Sequence, residues 1–303
     1  MKVLVTGGSG FLGKNLRLSR PEWDYVSSSE YNLVSLSECD RMIEEKKPDA
    51  ILHLAAKVGG IKDNSEKQAE YFYKNVTMNT NLVHSAHTHG IKRMLCSLST
   101  CAFPDVLEKY PFKEEDIFSG PPAETNFSYG YSKRLLHVQC VAYRNQYGLN
   151  YSTFCPSNLY GPGDHFNKED SHFVAALITK LFSKEKNLEF WGTGRPMRQF
   201  LYVEDLVKII PILLEKHNSN SPIIVAPKEN FHIHEMIEIA MKQLGKHIGE
   251  KKYFFNRKLD GQYRKDGSNK RLLDLLGHFD FTPFEEGIVK TAMSYPVVNQ
   301  LSS

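Results

Sequence analysis

Long apolar runs, paired cysteines, repeats and strong net charge are all missing from this chain, and each absence excludes something. No apolar stretch among its 303 residues approaches the roughly 18 that a membrane span needs, so no membrane role is expected. The N-terminal residues suit a strand and lack the layout of a secretory leader, which makes the cytoplasm the expected location. Cys39, Cys96, Cys101, Cys140 and Cys155 are an odd number without a CxxC pair, which argues for reduced thiols over a disulfide framework or a zinc site. A formal net charge of +3 is too mild to imply nucleic-acid binding, though it suits an anionic small molecule. There is no basic arm, low-complexity tract or long linker. With 41% hydrophobic and 24% charged residues, the chain can bury one large core or two smaller ones. Among its twelve histidines, His84, His87 and His89 come nearest to a metal cluster. They precede Gly90, where a helix should end and where its dipole favours imidazolium, so no metal is expected.

What the chain does have begins at once. Residues 1–13 read MKVLVTGGSGFLG, an apolar run that breaks at Thr6 into closely spaced glycines. The pattern predicts a strand, a tight turn and a helix start, where backbone N–H groups and the helix N-terminus can receive a pyrophosphate. Two spacings fit: Gly7, Gly10 and Gly13, or Gly8, Gly10 and Gly13.

Strand and helix patterns then alternate. DYVSS (24–28), DAILHLAA (49–56), KRMLCSLS (92–99) and LNYSTFC (149–155) read as strands; stretches 36–47, 66–89 and 129–147 read as helices. This alternation predicts an α/β fold, a Rossmann-type doubly wound parallel sheet with ligands at the carboxyl ends of its strands. Beyond Pro156 the regularity loosens into a smaller, partly interleaved C-terminal α/β unit. The expected division assigns 1–157 with about 199–225 to a dinucleotide-binding domain, and about 158–198 with 226–303 to a substrate domain.

Tyr129 and Lys133 are one helical turn apart at the start of a helix, so they share a face. A neighbouring ammonium is expected to lower the phenol's pKa and make it a tunable proton donor. Ser99, at the end of the fourth strand, could hydrogen-bond a substrate carbonyl facing the same place. Any one of these signals is weak alone, but together and in this order they point to one site.

The combination resembles the extended short-chain dehydrogenase/reductase family. The resemblance covers essentially the whole chain and sharpens at AAKVGGI (55–61), STCAFP (99–104), PSNLYGPGDHF (156–166), SHF around His172 and WGTGRPMRQFLYVEDL (191–206). These strings are similar to the branch that epimerises carbons 3 and 5 of GDP-4-keto-6-deoxymannose and then reduces carbon 4 with NADPH. The resemblance implies Ser99, Cys101, Tyr129, Lys133 and His172 as catalytic residues. Cys101 and His172 match the epimerising pair; thiol and imidazole pKa values lie close enough to neutrality to exchange protons either way. Read without the family, Cys101 is a small buried hydrophobe and His172 a solvated loop residue.

The implied cofactor shell follows the strand ends. Gly7, Gly8, Ser9, Gly10, Phe11, Leu12 and Gly13 follow the first strand, and Ser28, Ser29, Asn32 and Leu33 the second. Leu54, Ala55 and Ala56 follow the third, while Ser97 and Leu98 close the fourth. Tyr129 and Lys133 join from the helix, and Pro156, Ser157, Asn158 and Leu159, with His172, lie beyond the fifth. The serines after the second strand favour NADP(H), because hydroxyls tolerate a 2′-phosphate that a carboxylate would repel; Lys14 and Arg17 could help, and Glu30 lies slightly beyond that stretch. Asn32-Leu33 departs from the family's usual Asp-Leu. For the nucleotide sugar the pattern carries over to Lys180, Trp191, Arg198, Asp260 and Lys265, with Lys180 standing where relatives can carry arginine. Outside the family these read as surface cations or a core tryptophan, and at Asp260 and Lys265 both readings stand. A homodimer is implied, pairing two helices from each subunit. Three rivals are weaker: a 4-epimerase would not need Cys101 and His172, a dehydratase carries Asp-Glu where this chain has Cys101-Ala102, and a non-catalytic NADP-sensing module would be expected to lose Ser99, Tyr129 or Lys133.

Overall fold

The computed structural model describes residues 1–59, 61–166, 171–257, 260 and 262–296. Gly60 of the AAKVGGI string, parts of the 251–265 stretch and the end of the C-terminal unit lie outside the described residues. The first half runs β1 (Val3–Thr6), α1 (Phe11–Ser19), β2 (Asp24–Val26), α2 (Leu36–Lys46), β3 (Ala50–His53), α3 (Ile61–Glu66), α4 (Gln68–Thr88), β4 (Arg93–Ser97), α5 (Phe127–Tyr147) and β5 (Asn150–Pro156). The second half runs β6 (Asn158–Tyr160), α6 (Phe173–Leu181), β7 (Asn187–Phe190), β8 (Met197–Arg198), β9 (Phe200–Tyr202), α7 (Val203–Lys216) and β10 (Ile223–Val225). It ends with β11 (Phe231–His232), α8 (Ile233–Ile248), β12 (Lys252–Phe255), β13 (Arg264–Lys265), α9 (Lys270–Leu276) and α10 (Phe284–Met293).

Six of these strands form one parallel sheet in the order β10-β5-β4-β3-β1-β2. Its strands are buried almost end to end, as they must be when helices cover both faces. One face carries α2, α4 and α5 over a core that includes Met42, Leu82, Leu136 and Tyr151; the other carries α1, α7 and α9 over Leu16, Phe154, Ile210 and Leu272. Chain order reverses between β1 and β3, so a crevice opens there at the carboxyl edge. A third core, built from α6, α8 and α10 around Ile178, Met236 and Ile288, underlies the second unit. The chain returns to the main sheet through β10, so the second unit is inserted into the topology.

Gln199 fastens the two units together. Its buried amide donates to Pro227 O (3.0 Å) and Gly267 O (3.1 Å), while its oxygen accepts from Gly267 N at 2.8 Å. From the other side Phe112 N donates to Asp266 O and Ser268 N to Phe112 O. The segment bearing β13 is thereby clipped against the main sheet.

Three buried histidines give the fold an acid limit. Burial pushes His53, His137 and His217 down to about 4. They stay neutral in the fold while the unfolded chain takes up protons near 6.5, so their contribution is complete above about 6.5 and is lost as pH falls toward 4. Each is worth on the order of 3 kcal/mol over that window. The melting temperature should therefore drop steeply between pH 6.5 and 4.5, and less steeply in His137→Gln; a flat profile would overturn this account.

Candidate active site

The glycine turn leaves no room for a side chain at either Gly7 or Gly8, since a Cβ at Gly8 would stand 2.7 Å from Tyr25 Cβ. Gly7 is the residue at positive φ (77°), and a Cβ there would come within 2.8 Å of Ala55 N. A Cβ at Gly13 would stand 2.4 Å from Gly7 O, so helix and turn close on each other only because both lack side chains. Gly10, by contrast, meets only Gly7 O at 3.2 Å and is the N-cap of α1, where no side chain supplies a cap. An uncapped helix N-terminus behind a bare glycine surface fits a pyrophosphate. Ser9, Phe11 and Leu12 belong to this turn and the first turn of the helix. Leu54 N donates to Thr6 O and Ala55 N to Thr6 Oγ1, which sets 54–56 along the far wall.

The serine stretch after β2 is organised by Glu30. Its carboxylate accepts from Ser27 N and Ser27 Oγ, each at 2.8 Å, and these hydrogen bonds lower its pKa. Glu30 thus caps its own turn, while Ser28 and Ser29 stand exposed. Arg17 lies 5.0 Å over the Tyr25 ring beside the turn. Asn32 Oδ1 accepts from Val34 N, and buried Leu33 presents its carbonyl to Asn81.

At the carboxyl ends of β4 and β5 the predicted groups converge. Lys133 is buried and donates to Ser97 O at 2.8 Å; burial pulls its ammonium down to about 8. Leu98 N donates to Phe154 O, Ser157 N to Val225 O, and Asn158 Nδ2 to Gln199 O. Pro156 pairs with Val225 across the β5–β10 ladder, and Leu159 with Leu201 across β6–β9. Tyr129 lies close enough to the Ser99 hydroxyl for it to act on the phenol's pKa, and Lys133 Nζ lies 5.9 Å from its ring centroid. The expected lowering of the phenol's pKa is corrected here. Burial pushes it well above its usual value, the neighbouring Cys101 adds to this, and the Ser99 hydroxyl pulls only partly back. Tyr129 is therefore a firmly protonated phenol.

Cys101 sits in the short turn after β4. Its N–H donates to Ser99 Oγ at 3.2 Å. Gly130 lets α5 close on this turn, since a Cβ there would stand 2.3 Å from Cys101 O. Lys265 Nζ lies 3.0 Å from Cys101 Sγ. Burial raises the thiol's pKa, but the charge and hydrogen bond of Lys265, with Ser99 and Arg198, hold it below the ordinary range. Arg198 is next to Lys265 in the β8–β13 ladder, and burial lowers its own pKa. With only 8% exposure, Lys265 is no surface cation.

The remaining candidates lie farther out. His172 is the N-cap residue of α6, 66% exposed at its side chain, with Nδ1 4.0 Å from the carboxylate of buried Asp164. Lys180 donates to Glu189 O and stands 4.9 Å over the Phe190 ring. Trp191 is 75% exposed, which rules out a core role. Asp260 accepts from Thr193 N (2.8 Å) and Thr193 Oγ1 (2.6 Å), bracing the loop after β7. The histidines before Gly90 do other work: His87 stacks on Tyr147, His84 hydrogen-bonds Tyr143, and His89 hydrogen-bonds Ser85 O.

Sequence reasoning missed a buried polar chain behind the site. Thr6 Oγ1 and His53 Nδ1 are 2.8 Å apart, and His53 Nε2 is 2.9 Å from Asn79 Oδ1. Asn75 pins the loop after β3 by bonding both the N–H and the carbonyl of Lys57. A polar residue inside an apolar strand was the available signal at His53, whereas nothing local distinguishes Asn75 from the other asparagines of α4.

A parallel sheet with a glycine turn at its reversal point and a Ser–Tyr–Lys group at its carboxyl edge defines a dinucleotide-dependent oxidoreductase of the short-chain type. Residues 3–226 match the NAD dependent epimerase/dehydratase family. The chain is 36% identical to GDP-L-fucose synthase of Dictyostelium discoideum, across 94% of this chain and 92% of that protein. It is 33% identical to the probable GDP-L-fucose synthase of Drosophila melanogaster, across 95% and 94%. A solved GDP-L-fucose synthetase from Naegleria fowleri, bound to NADP, matches with a TM-score of 0.87 at 30% identity, covering 99% of this chain and 94% of that one. The chain belongs to the NAD dependent epimerase/dehydratase family and, within it, to the GDP-L-fucose synthases.

Proposed function

We propose that this protein converts GDP-4-keto-6-deoxymannose to GDP-L-fucose, inverting carbons 3 and 5 and then reducing carbon 4. The observation that carries this reading is the juxtaposition of two chemistries in one crevice. Protonated Tyr129 with Ser99 suits carbonyl reduction, and Cys101, held below the ordinary thiol range, suits proton removal beside that carbonyl.

NADPH supplies the hydride when bound, and the glycine turn, Ser28, Ser29 and Lys133 are the groups that would hold it. Ser99 and Tyr129 hydrogen-bond the sugar's carbonyl oxygen and steady the charge that collects there during enolisation. Cys101 and His172 exchange protons with carbons 3 and 5. Tyr129 finally gives its proton to the carbon 4 oxygen. Lys180, Trp191, Arg198 and Asp260 receive the nucleotide sugar; a guanidinium suits its diphosphate. Residues 1–157 with 199–225 form the NADP domain, and 158–198 with 226–303 the nucleotide-sugar domain; the return of β10 to the main sheet supports that division.

A second copy would pack on α4 and α5, which expose Phe72, Tyr73, Leu135 and Val138. Light scattering should then return twice 34.7 kDa. Among the described residues no helix is long and apolar enough to cross a membrane, and a cytoplasmic site of action agrees with a free thiol at the centre of the chemistry. Incubation with GDP-4-keto-6-deoxymannose and NADPH should consume the cofactor and yield GDP-L-fucose. A reduced product that keeps the starting configuration at carbons 3 and 5 would sink the epimerase half, and no NADPH consumption would sink the whole.

A further inference from the structure

We propose that Lys265 acts on Cys101 and not on the substrate phosphates: it is a positioning residue that keeps this thiol ionised between proton transfers. The inference rests on the reading above for the reaction, and on this structure for the pairing.

Four observations carry it. The Nζ–Sγ separation is 3.0 Å, a hydrogen-bond distance for an ammonium and a sulfur. Lys265 is 8% exposed, and among the described residues it makes no salt bridge. The neighbouring carboxylate is already committed, because Asp266 receives Arg264 through two hydrogen bonds of 2.9 and 2.6 Å. A buried ammonium without a counter-charge is costly, so lysine and thiolate stabilise each other. The placement is also rigid. The Gln199 and Phe112 hydrogen bonds hold the chain on either side of Gly267, and a Cβ at Gly267 would stand 2.8 Å from both Ile224 and Phe112.

The groups facing the sulfur come from several elements. Lys265 and Arg198 bring positive charge from β13 and β8, Ser99 a hydroxyl, and Tyr129 and Cys155 two buried neutral acids from α5 and β5. The reaction makes this arrangement useful. When Cys101 takes a proton from carbon 3 or carbon 5, the C–H electron pair moves toward the carbonyl oxygen and the thiolate becomes a thiol. A proton returned from the opposite face completes the inversion, with no net change in the sugar's proton count. The thiol must then release its proton to solvent before it can take one from the second carbon. A fixed ammonium beside it favours that release each time.

The test uses the full-length protein and two variants, Lys265→Met and Lys265→Arg. Iodoacetamide alkylation of Cys101, followed by mass spectrometry from pH 5 to 10, reads the thiolate directly and needs no substrate. The other four cysteines are 0–1% exposed and serve as internal controls. In the unchanged protein the midpoint should lie below the ordinary value of about 8.5, and Lys265→Met should move it up by about a unit or more, slowing alkylation at pH 7 about tenfold. Lys265→Arg should restore most of it. With GDP-4-keto-6-deoxymannose in D₂O, Lys265→Met should lose about tenfold in deuterium uptake at pH 7, recover toward pH 9, and keep its KM within about threefold. An unchanged alkylation midpoint, or a raised KM with unchanged kcat, overturns the proposal and returns Lys265 to phosphate binding. Absent deuterium uptake in the unchanged protein would reject the reaction assigned above, while the alkylation profile still decides the pairing.

Discussion

Tyr129→Phe is expected to lower NADPH consumption with GDP-4-keto-6-deoxymannose by about a hundredfold or more, since general acid catalysis typically contributes that much. The phenol lies beside Ser99 at the carboxyl edge of the sheet, where the resemblance places the substrate carbonyl. Its raised pKa sharpens the expectation. A phenol held protonated at neutral pH is ready to donate as hydride arrives, but could not serve as a base in the same state. Removing one hydroxyl leaves the ring, so the helix packing around Lys133 and the glycine turn should persist. NADPH binding should then stay within a few-fold of the unchanged protein, while kcat and kcat/KM fall together. Fluorescence titration measures the NADPH affinity and absorbance at the nicotinamide band the turnover. Wild-type turnover in this variant would remove Tyr129 from the reduction.

The framework of this site was legible because it depends on short-range patterns. An apolar run ending in Thr6-Gly7-Gly8 fixes strand, turn and helix within thirteen residues. A YxxxK pair shares a helix face wherever the helix forms. The alternation of strands and helices then allows few sheet topologies, and the observed order is the one a ligand crevice between β1 and β3 requires. Strand ends such as Ser97 and Pro156 could be read to within a residue or two for the same reason.

What escaped the sequence is whatever depends on long-range placement. Lys265 reads as one more cation in a basic, aromatic stretch; only the Gln199 clip and the β8–β13 pairing reveal that it reaches Cys101, 164 positions away in the chain. The same holds for Asp164, whose carboxylate lies near His172 behind a loop of turn formers. The phenol of Tyr129 was misjudged for a related reason. Sequence shows which charge is nearby but not how much water is excluded, and here desolvation is the largest cause of the shift while Lys133 is not among its causes. Glu30 was another case: it lies slightly beyond the serine stretch, and only the fold shows that its carboxylate is spent on the backbone and side chain of Ser27.

Cys101→Ala should separate the two reactions. Solvent deuterium uptake at carbons 3 and 5 should fall about a hundredfold or more, because no other described side chain at the carboxyl edge combines a titrating atom with the neighbouring charge of Lys265 and Arg198. NADPH affinity should be unchanged, since the turn, the serines and Lys133 are untouched. Given a 4-keto sugar already inverted at both carbons, the variant should still oxidise NADPH within a few-fold of the normal rate, because Ser99 and Tyr129 remain in place. Ser99→Ala makes the comparison decisive: it removes the hydroxyl beside Tyr129 and the acceptor of the Cys101 N–H, so uptake and reduction should both fall. If Cys101→Ala abolishes reduction of the pre-inverted sugar as well, the thiol belongs to the carbonyl site and the division of labour drawn here fails. If uptake persists in Cys101→Ala but is lost in His172→Asn, the exposed imidazole at the N-terminus of α6 is the base, and Lys265 is guarding a spectator.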